Sequence, residues 1–340
     1  MTNGWTRPAH SKNAVNRAGE VLIDDTSSDL ERAEALAVVN NWRSSHGFPL
    51  NTIAMSLRSK ATKIDPDAII ARRTKRMPSI VRKLARFPAM RAARMQDLGG
   101  CRAVVRDIQA VLEVDAAMRA SQHKHRLQGS KDYIAEPKPD GYRGIHLVYQ
   151  YRSDKTEIHN GQLIEVQIRT KAQHAWATAV ETAGTFTSQA LKSGEGDADW
   201  REFFRLASSA IALEEGAPTV PGTPDSATVI RERLTDLEGG LRVRDKLSGW
   251  AKAVQVVEQQ AASGNYVLLV LDSLENTLAF SSFARQEDAE AAYAVMEARS
   301  EPHQDVVLVA ADSINALRAA YPNYFGDTAH FVKILDRFLA

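Results

Sequence analysis

The stretch from Lys131 to Thr170, KDYIAEPKPDGYRGIHLVYQYRSDKTEIHNGQLIEVQIRT, limits this chain more than any other. A polar loop, Ala135 to Asp140, carries two prolines and ends at Gly141. Such a loop is stiff, and its glycine can take positive φ. Tyr142-Arg-Gly-Ile-His-Leu-Val-Tyr-Gln-Tyr follows. Side chains alternate across a strand, so Tyr142, Gly144 and His146 share one face, and Ile145, Leu147 and Tyr149 the other. A second strand, Ile164 to Arg169, points Ile164, Val166 and Ile168 to a core and Glu165, Gln167 and Arg169 outward together. A surface bearing an aromatic ring, an imidazole, a carboxylate and a guanidinium is costly for packing and suited to a nucleotide and its phosphates.

Around this stretch, the chain reads as helix, strand and loop. Residues 1 to about 27 read as an irregular arm. Ser28 or Asp29 caps a helix to His46 with a stripe of Leu30, Ala33, Ala37, Val38 and Trp42. His46-Gly-Phe-Pro49 ends it, and a second helix runs from Leu50 to about Lys63. Asp67 to Arg73 is a strand delivering Arg73 and Lys75 to its end. Pro78 suits the first turn of a helix from Ser79 to Phe87, where Ser79 and Lys83 share a face. Asp97-Leu-Gly-Gly-Cys-Arg is a turn entering a strand, with paired glycines that let backbone approach a ligand. Asp107 caps a helix through Ser121. His123 and His125 lie in a basic loop with no acid or cysteine spaced to complete a metal site. Thr170 caps a helix to about Phe186, with His174, Ala177, Thr178 and Glu181 on one face and Trp176 in the core. Gly194 to Asp197 breaks the chain before a helix from Asp197 to Glu215.

The stretch Gly216 to Asp225 holds three prolines and two glycines and reads as a linker. Ala227 to Ala262 is expected to be largely helical, interrupted at Gly239-Gly240. A small α/β unit follows: strands at 266–271 and 277–281, a helix at 284–300, a strand at 306–310, a helix at 313–320, a loop at 321–327 and a last helix. The expected division is 1–34 arm and helix start, 35–215 a first domain, 216–262 linker and connecting helices, and 263–340 a C-terminal module.

Composition narrows the class. The chain has 340 residues, 44% hydrophobic and 25% charged, with formal net charge +1. It is therefore an ordinary globular composition with no bulk charge toward nucleic acid. One cysteine, Cys101, excludes a disulfide framework within the chain and fits a reducing cytoplasm. No apolar run approaches a membrane span, and the N-terminus lacks a signal-peptide core. Between Ala71 and Gln96, however, stand nine Lys or Arg (72, 73, 75, 76, 82, 83, 86, 91 and 94) and no acid. That run is either a solvated helix face or a phosphate-binding wall.

Four segments in order, RTKRMPSIVRK (73–83), MQDLGGCR (95–102), PKPDGYRGIH (137–146) and EVQIRT (165–170), resemble the synthetase domain of RelA/SpoT-type pyrophosphokinases. The resemblance implies an α/β (α+β) fold: a nucleotidyltransferase-like domain with a mixed sheet flanked by helices, plus a small C-terminal α/β regulatory module. It implies transfer of pyrophosphate from ATP, with magnesium as cofactor. Arg73, Lys75, Ser79, Lys83 and Arg102 then bind ATP, and Asp97 and Glu165 hold the metal, Glu165 near the acceptor's hydroxyl as ligand, base or both. Otherwise the two carboxylates are salt-bridged to Arg102 and Arg169. Tyr142 is counted with these as catalytic and offers the acceptor's base a stacking ring. Lys138, His146, Gln167, Arg169, Arg91 and Arg94 complete the acceptor side.

Some positions depart from many alarmone synthetases: Asp140 where asparagine is common, Gly144 for serine, and Thr182 where histidine is frequent. They weaken the expectation of GDP or GTP as acceptor. Tyr321-Pro-Asn-Tyr324 in the last unit is similar to the C-terminal module of fused toxin–antitoxin, CapRel-like members, a zinc-finger-like fold without its metal. That likeness implies a cytoplasmic, autoinhibited enzyme that modifies the 3′ end of tRNA in phage defence. Tyr321 and Tyr324 would fill the adenine pocket until a phage capsid protein binds. The alternatives are a free-nucleotide synthetase making (p)ppGpp or (p)ppApp, and an inactive nucleotide- or RNA-binding regulator.

Overall fold

The computed structural model describes residues 5–187, 191, 196–253, 255–260, 266–272, 274–275, 277–301, 303–310, 314–325 and 327–340. Its backbone is one mixed sheet of nine described strands. The strands are β1 (Ile69–Thr74), β2 (Gly99–Val105), β3 (Arg126–Asp132), β4 (Ile145–Gln150), β5 (Leu163–Thr170), β6 (Gln255–Gln260), β7 (Tyr266–Asp272), β8 (Thr277–Phe283) and β9 (Gln304–Ala310). Their order across the sheet is β3-β4-β5-β2-β1-β9-β7-β8-β6. Strands β2 and β5 run parallel, as do β6 and β8; the other neighbours are antiparallel. The C-terminal strands thus extend the first sheet through β9 on β1, where Arg73 faces Val309.

The strict alternation of β4 and β5 decides which face is which. Ile145, Leu147, Tyr149, Ile164, Val166 and Ile168 point to one side and bury against α3 (Gly47–Ile64) and α5 (Ile108–Arg119). Residues opposed across the ladders share a face, and Arg73 opposes Gly100, Gly100 opposes Glu165, Arg102 opposes Gln167, and Gln167 opposes His146. The polar side chains therefore gather on the other face, as the alternation predicts.

A helical layer of α6 (Lys171–Phe186), α7 (Ala198–Glu214), α8 (Ala227–Leu241) and α9 (Val243–Ala253) has its own core. Thr170 caps α6 with a reciprocal Gln173 contact, and Trp176 is buried with its indole N–H on the Phe204 carbonyl at 2.8 Å. The last helix, α12 (Ala329–Leu339), returns to this layer and buries Phe331, Ile334, Leu335 and Phe338 in it. The strands β6 to β9, α10 (Gln286–Arg299) and α11 (Ile314–Ala320) thus lie between two helices of one core.

Several expectations are corrected. The arm holds a helix, α1 (Lys12–Val21), capped by Ser11. In α2 (Asp29–Ser45) the buried stripe is Ala35, Val39 and Trp42, while Leu30 is exposed. Pro49 does not end a helix but sits in the first turn of α3, where its missing N–H costs nothing. The glycine pair at 239–240 continues α8. The break comes at Arg242, which takes the left-handed conformation at φ 53°. Residues 255–260 are strand, not helix. The proline-rich 216–225 segment is pinned rather than free: Val220 is buried, its N–H donates to Ser209 Oγ, and Arg143 and Arg205 donate to the Pro218 and Pro221 carbonyls. Gly194, Glu195 and Ser313 lie outside the described residues.

His46 joins α2 to α3 with its ring buried and Nδ1 2.7 Å from the Trp42 carbonyl. Burial disfavours its charged form and lowers its pKa to about 4. A histidine depressed in the fold costs stability as pH falls from its ordinary value of 6.5 toward 4, because the unfolded chain takes up the proton first. His46→Gln should therefore lose less stability than the parent between pH 7 and pH 4, by about 3 kcal/mol in denaturant titrations.

Candidate active site

The polar face carries two adjoining groups. The first surrounds Asp97, just ahead of β2. Its carboxylate takes Lys75 Nζ at 3.0 Å on one oxygen and Lys83 Nζ at 2.9 Å on the other. Lys75 follows β1, and Lys83 comes from α4 (Met77–Arg86), which opens with Pro78 in its first turn. Ser79 lies on α4 with Lys83, one turn earlier. Gly100 leaves the sheet uncovered beside them: a Cβ there would meet nothing nearer than the Glu165 carbonyl at 3.9 Å.

The second group is a closed ring of five side chains. Tyr142 Oη lies 2.5 Å from His146 Nε2, and His146 Nδ1 lies 2.9 Å from Glu165 Oε1. Gln167 donates to Glu165 Oε2 at 2.7 Å, and Arg169 donates to Gln167 Oε1 at 2.9 Å and Tyr142 Oη at 2.6 Å. An ionised carboxylate only accepts, so His146 Nδ1 carries the proton and Nε2 receives the Tyr142 hydroxyl. Burial of Glu165 raises its pKa, but His146, Gln167 and Lys83 outweigh it and hold the carboxyl at about 2. Lys83 thus acts on both carboxylates. The salt bridges to Arg102 and Arg169 do not form: Asp97 pairs with the lysines, and Glu165 with His146 and Gln167.

The ring is roofed by aromatics and cations. Lys138 Nζ lies 4.5 Å from the Tyr133 ring centre and 4.9 Å from that of Tyr142, and Arg169 lies 4.6 Å from Tyr142. Tyr133 packs edge-on against Tyr142 and His146. The residue-type reading missed it, although it stands in KDYI directly before the loop. Gly141 takes φ 94° at the loop's end, and Asp140 closes the turn by accepting the Tyr142 N–H at 2.9 Å. Behind it, buried Arg143 donates to Ser208 Oγ at 3.1 Å, fixing the loop to α7. Thr182 is buried in α6.

Arg73 and Arg102 lie on the same face, under the last unit. Tyr321 is 3% exposed and Tyr324 1%. Tyr321 Oη donates to the Arg72 carbonyl at 2.9 Å, and the Arg102 guanidinium lies 5.9 Å from the Tyr321 ring centre. Arg73 Nη1 donates to Tyr324 Oη at 3.4 Å, and Arg102 Nη2 to the Ala320 carbonyl at 2.5 Å. Burial, then Arg169, lowers the Arg102 pKa to about 10.

The rest of the basic run is divided. Arg72 turns to the opposite face and bonds Asn51, Arg76 pairs with Asp305, and exposed Arg91 pairs with Glu20. Arg94 is exposed on a short turn after Arg91. Neither Arg91 nor Arg94 belongs to the ring around Tyr142. His123 and His125 lie tilted against each other, with His123 edge-on to Tyr149 and His125 stacked on Tyr151. Among the described residues, no group of three or more His, Cys, Asp or Glu could hold a metal ion by itself. Magnesium asks less of a protein, one or two carboxylates beside substrate phosphates and waters, and Asp97 with Glu165 fits that donor set. No described helix is long and apolar enough to cross a membrane.

Comparison with known proteins gives matches to part of the chain. Residues 72–189 match a family model described as "Region found in RelA / SpoT proteins". The GTP pyrophosphokinase YjbM of Bacillus subtilis is 36% identical over 118 residues, 33% of this chain and 54% of that protein. The GTP pyrophosphokinase YwaC of the same organism is 33% identical over 112 residues, 31% of this chain and 52% of that one. The chain thus spans about half the length of these curated relatives. Among solved structures, a GTP pyrophosphokinase family protein from Streptococcus pneumoniae is similar at 25% identity and TM-score 0.42, over 55% of this chain and 90% of its own. Small alarmone synthetase 1 of Bacillus subtilis bound to pppGpp is similar at 24% and 0.42, over 55% and 94%.

The ring predicts its own weak point. Arg169 supplies two of its bonds, both from Nη2, so Arg169→Leu should open the ring at both. On the function proposed below, KM for the acceptor in transfer assays should rise about ten-fold or more while KM for ATP stays near the parent's, because Lys75 and Lys83 are untouched.

Proposed function

We propose that the chain is an ATP-dependent pyrophosphokinase restrained by its own C-terminal unit, and that its acceptor is the 3′ end of tRNA. The observation that carries the reading is the seat of Tyr321 and Tyr324. Two buried rings lie against Arg73 and Arg102, two of the five residues expected to bind ATP; of the four expected to hold the adenine, Arg73, Lys75, Ser79 and Lys83, they bond Arg73. Pyrophosphate transfer itself is supported by the RelA/SpoT region and by the names of the relatives.

In this reading, the acceptor's ribose oxygen attacks the β-phosphorus of ATP. The bond from that phosphorus to the α–β bridging oxygen breaks, AMP leaves with the oxygen, and the hydroxyl proton passes to solvent. Lys75 and Lys83 turn from Asp97 to the phosphates and offset their charge. Magnesium, when bound, adds further charge neutralisation, and Asp97 and Glu165 are the residues that would hold it. With its carboxyl at about 2, Glu165 is a poor proton acceptor at neutral pH, which favours its role as ligand over base. Tyr142 and Tyr133 present rings for the acceptor's base, with Lys138, His146, Gln167 and Arg169 around them. Arg91 and Arg94 stand outside this cluster and would meet the body of an RNA.

A trigger need only bind the open state better than the closed one; about 5.5 kcal/mol of preference turns a mostly closed population mostly open. A phage capsid protein is the partner proposed, in a cytoplasmic toxin–antitoxin setting. A second reading, GDP or GTP as acceptor, is favoured by the names of the two Bacillus relatives.

The test is transfer of label from ATP to tRNA or to GDP. Tyr321→Ala with Tyr324→Ala should raise basal labelling of tRNA and arrest growth on expression. Adding Asp97→Asn should lower turnover on the order of a hundred-fold and restore growth. Labelled GDP with unlabelled tRNA would give the second reading, and a folded double tyrosine variant no more active than the parent would end the autoinhibition reading. If tRNA is the acceptor, Arg91→Ala with Arg94→Ala should weaken tRNA binding and flatten its salt dependence while leaving ATP binding nearly unchanged.

A further inference from the structure

Helix α10 turns a polar stripe toward the first half of the chain. Gln286, Glu290, Tyr293 and Glu297 recur four, three and four residues apart, one face of a helix. Glu290 accepts from Thr6 Oγ1 at 2.8 Å. Arg43 of α2, only 2% exposed, lies 4.7 Å from the Tyr293 ring centre and donates to Glu297 Oε2 at 2.9 Å and Tyr293 Oη at 3.2 Å. Tyr293 in turn donates to Glu297 Oε1 at 2.6 Å. The same oxygen accepts the N–H of Met77 at 2.7 Å, the first residue of the helix that carries Ser79 and Lys83. Glu297 thus touches α2 and α4 at once. Next to it, Asp305 of β9 pairs with Arg76.

We propose that Arg43, Tyr293 and Glu297 form a second latch, separate from the two tyrosines, that holds the C-terminal unit shut and fixes β9 beside β1. The proposal rests on the reading that this unit restrains the enzyme. Its physical basis is the buried ion pair. Removing one charge leaves the other desolvated and unpaired, so the closed arrangement loses far more than a surface salt bridge would. The tyrosines sit about 25 residues downstream on a different element, so they need not be touched for the latch to fail. By holding the first N–H of α4, Glu297 also ties closure to the helix that presents Lys83.

The experiment reads position rather than turnover. Spin labels on Leu112→Cys, exposed on α5, and Leu274→Cys, exposed between β7 and β8, report the separation of the two halves. Native Cys101 is buried and does not compete for label. The full chain should give one distance. Glu297→Gln should add a longer one, its population rising on the order of a hundred-fold. Tyr293→Phe removes a single hydroxyl and should move the population the same way by less, about ten-fold; it decides the matter if Glu297→Gln does not fold. A parental distance distribution in a folded Glu297→Gln, or in Tyr293→Phe when the first variant is unfolded, overturns the latch. Transfer is measured on the same samples. A longer distance without transfer to tRNA or GDP keeps the latch and removes the proposed activity, so the two failures are distinguishable.

Discussion

The contact of β9 with the edge of β1 is the constraint on which the rest of this structure depends. A strand edge left open presents unpaired N–H and C=O groups that another chain can pair with. Here β9 meets that edge at one residue pair, Arg73 opposite Val309, and the contact also brings α11 and the Tyr321–Tyr324 turn over the face that carries Arg73 and Arg102. One pairing thus joins the two parts of the sheet and places two aromatic rings on the cationic face. The apolar half of this contact is Ala71, Leu269, Val307, Val309 and Leu317 packed with the two tyrosines. Small Ala71 leaves room for the rings; a larger side chain would lift the unit from the sheet.

The same face shows how charge is managed before substrate arrives. Two lysines that would serve phosphates are held by Asp97, and a carboxylate that would serve a cation is held by His146 and Gln167. The lysines already hold an anion, and Glu165 already accepts two hydrogen bonds. These contacts offset the cost of taking Asp97 and Glu165 partly out of water.

Much of the polar face was legible because it follows strict period-two alternation. Tyr142, His146, Glu165, Gln167 and Arg169 could be put on one side from the sequence, since a one-residue slip would expose Ile164, Val166 and Ile168. Ring closure was not legible, because it depends on the register of β4 against β5. Tyr133 was hidden for a related reason: it lies after β3 and meets Tyr142 only through the turn of the loop. The polar stripe of α10 was missed because Glu and Gln on a helix are ordinarily solvent-facing, and the partners that make burial favourable, Arg43, Met77 and Thr6, are distant in sequence. Residues 255–260, QVVEQQ, carry too short an apolar run to announce a strand. The 216–225 segment was read from proline and glycine alone, which report local backbone limits but not that Arg143, Arg205 and Ser209 bind its carbonyls and amides.

The path of the chain between α9 and α12 has a kinetic consequence. The unit that covers β1 is entered and left through helices that belong to one core, and the segment preceding α8 is itself fastened. Such a unit is a closed loop with both ends anchored, not a domain on a string. Its displacement is limited to what the short joints at its two ends allow, so a displaced unit stays at high effective concentration over its own seat. Return is then a unimolecular event that dilution cannot slow. A ligand that keeps the face uncovered must hold the unit away continuously, and its residence time, rather than the number of encounters, would set how long the face stays open.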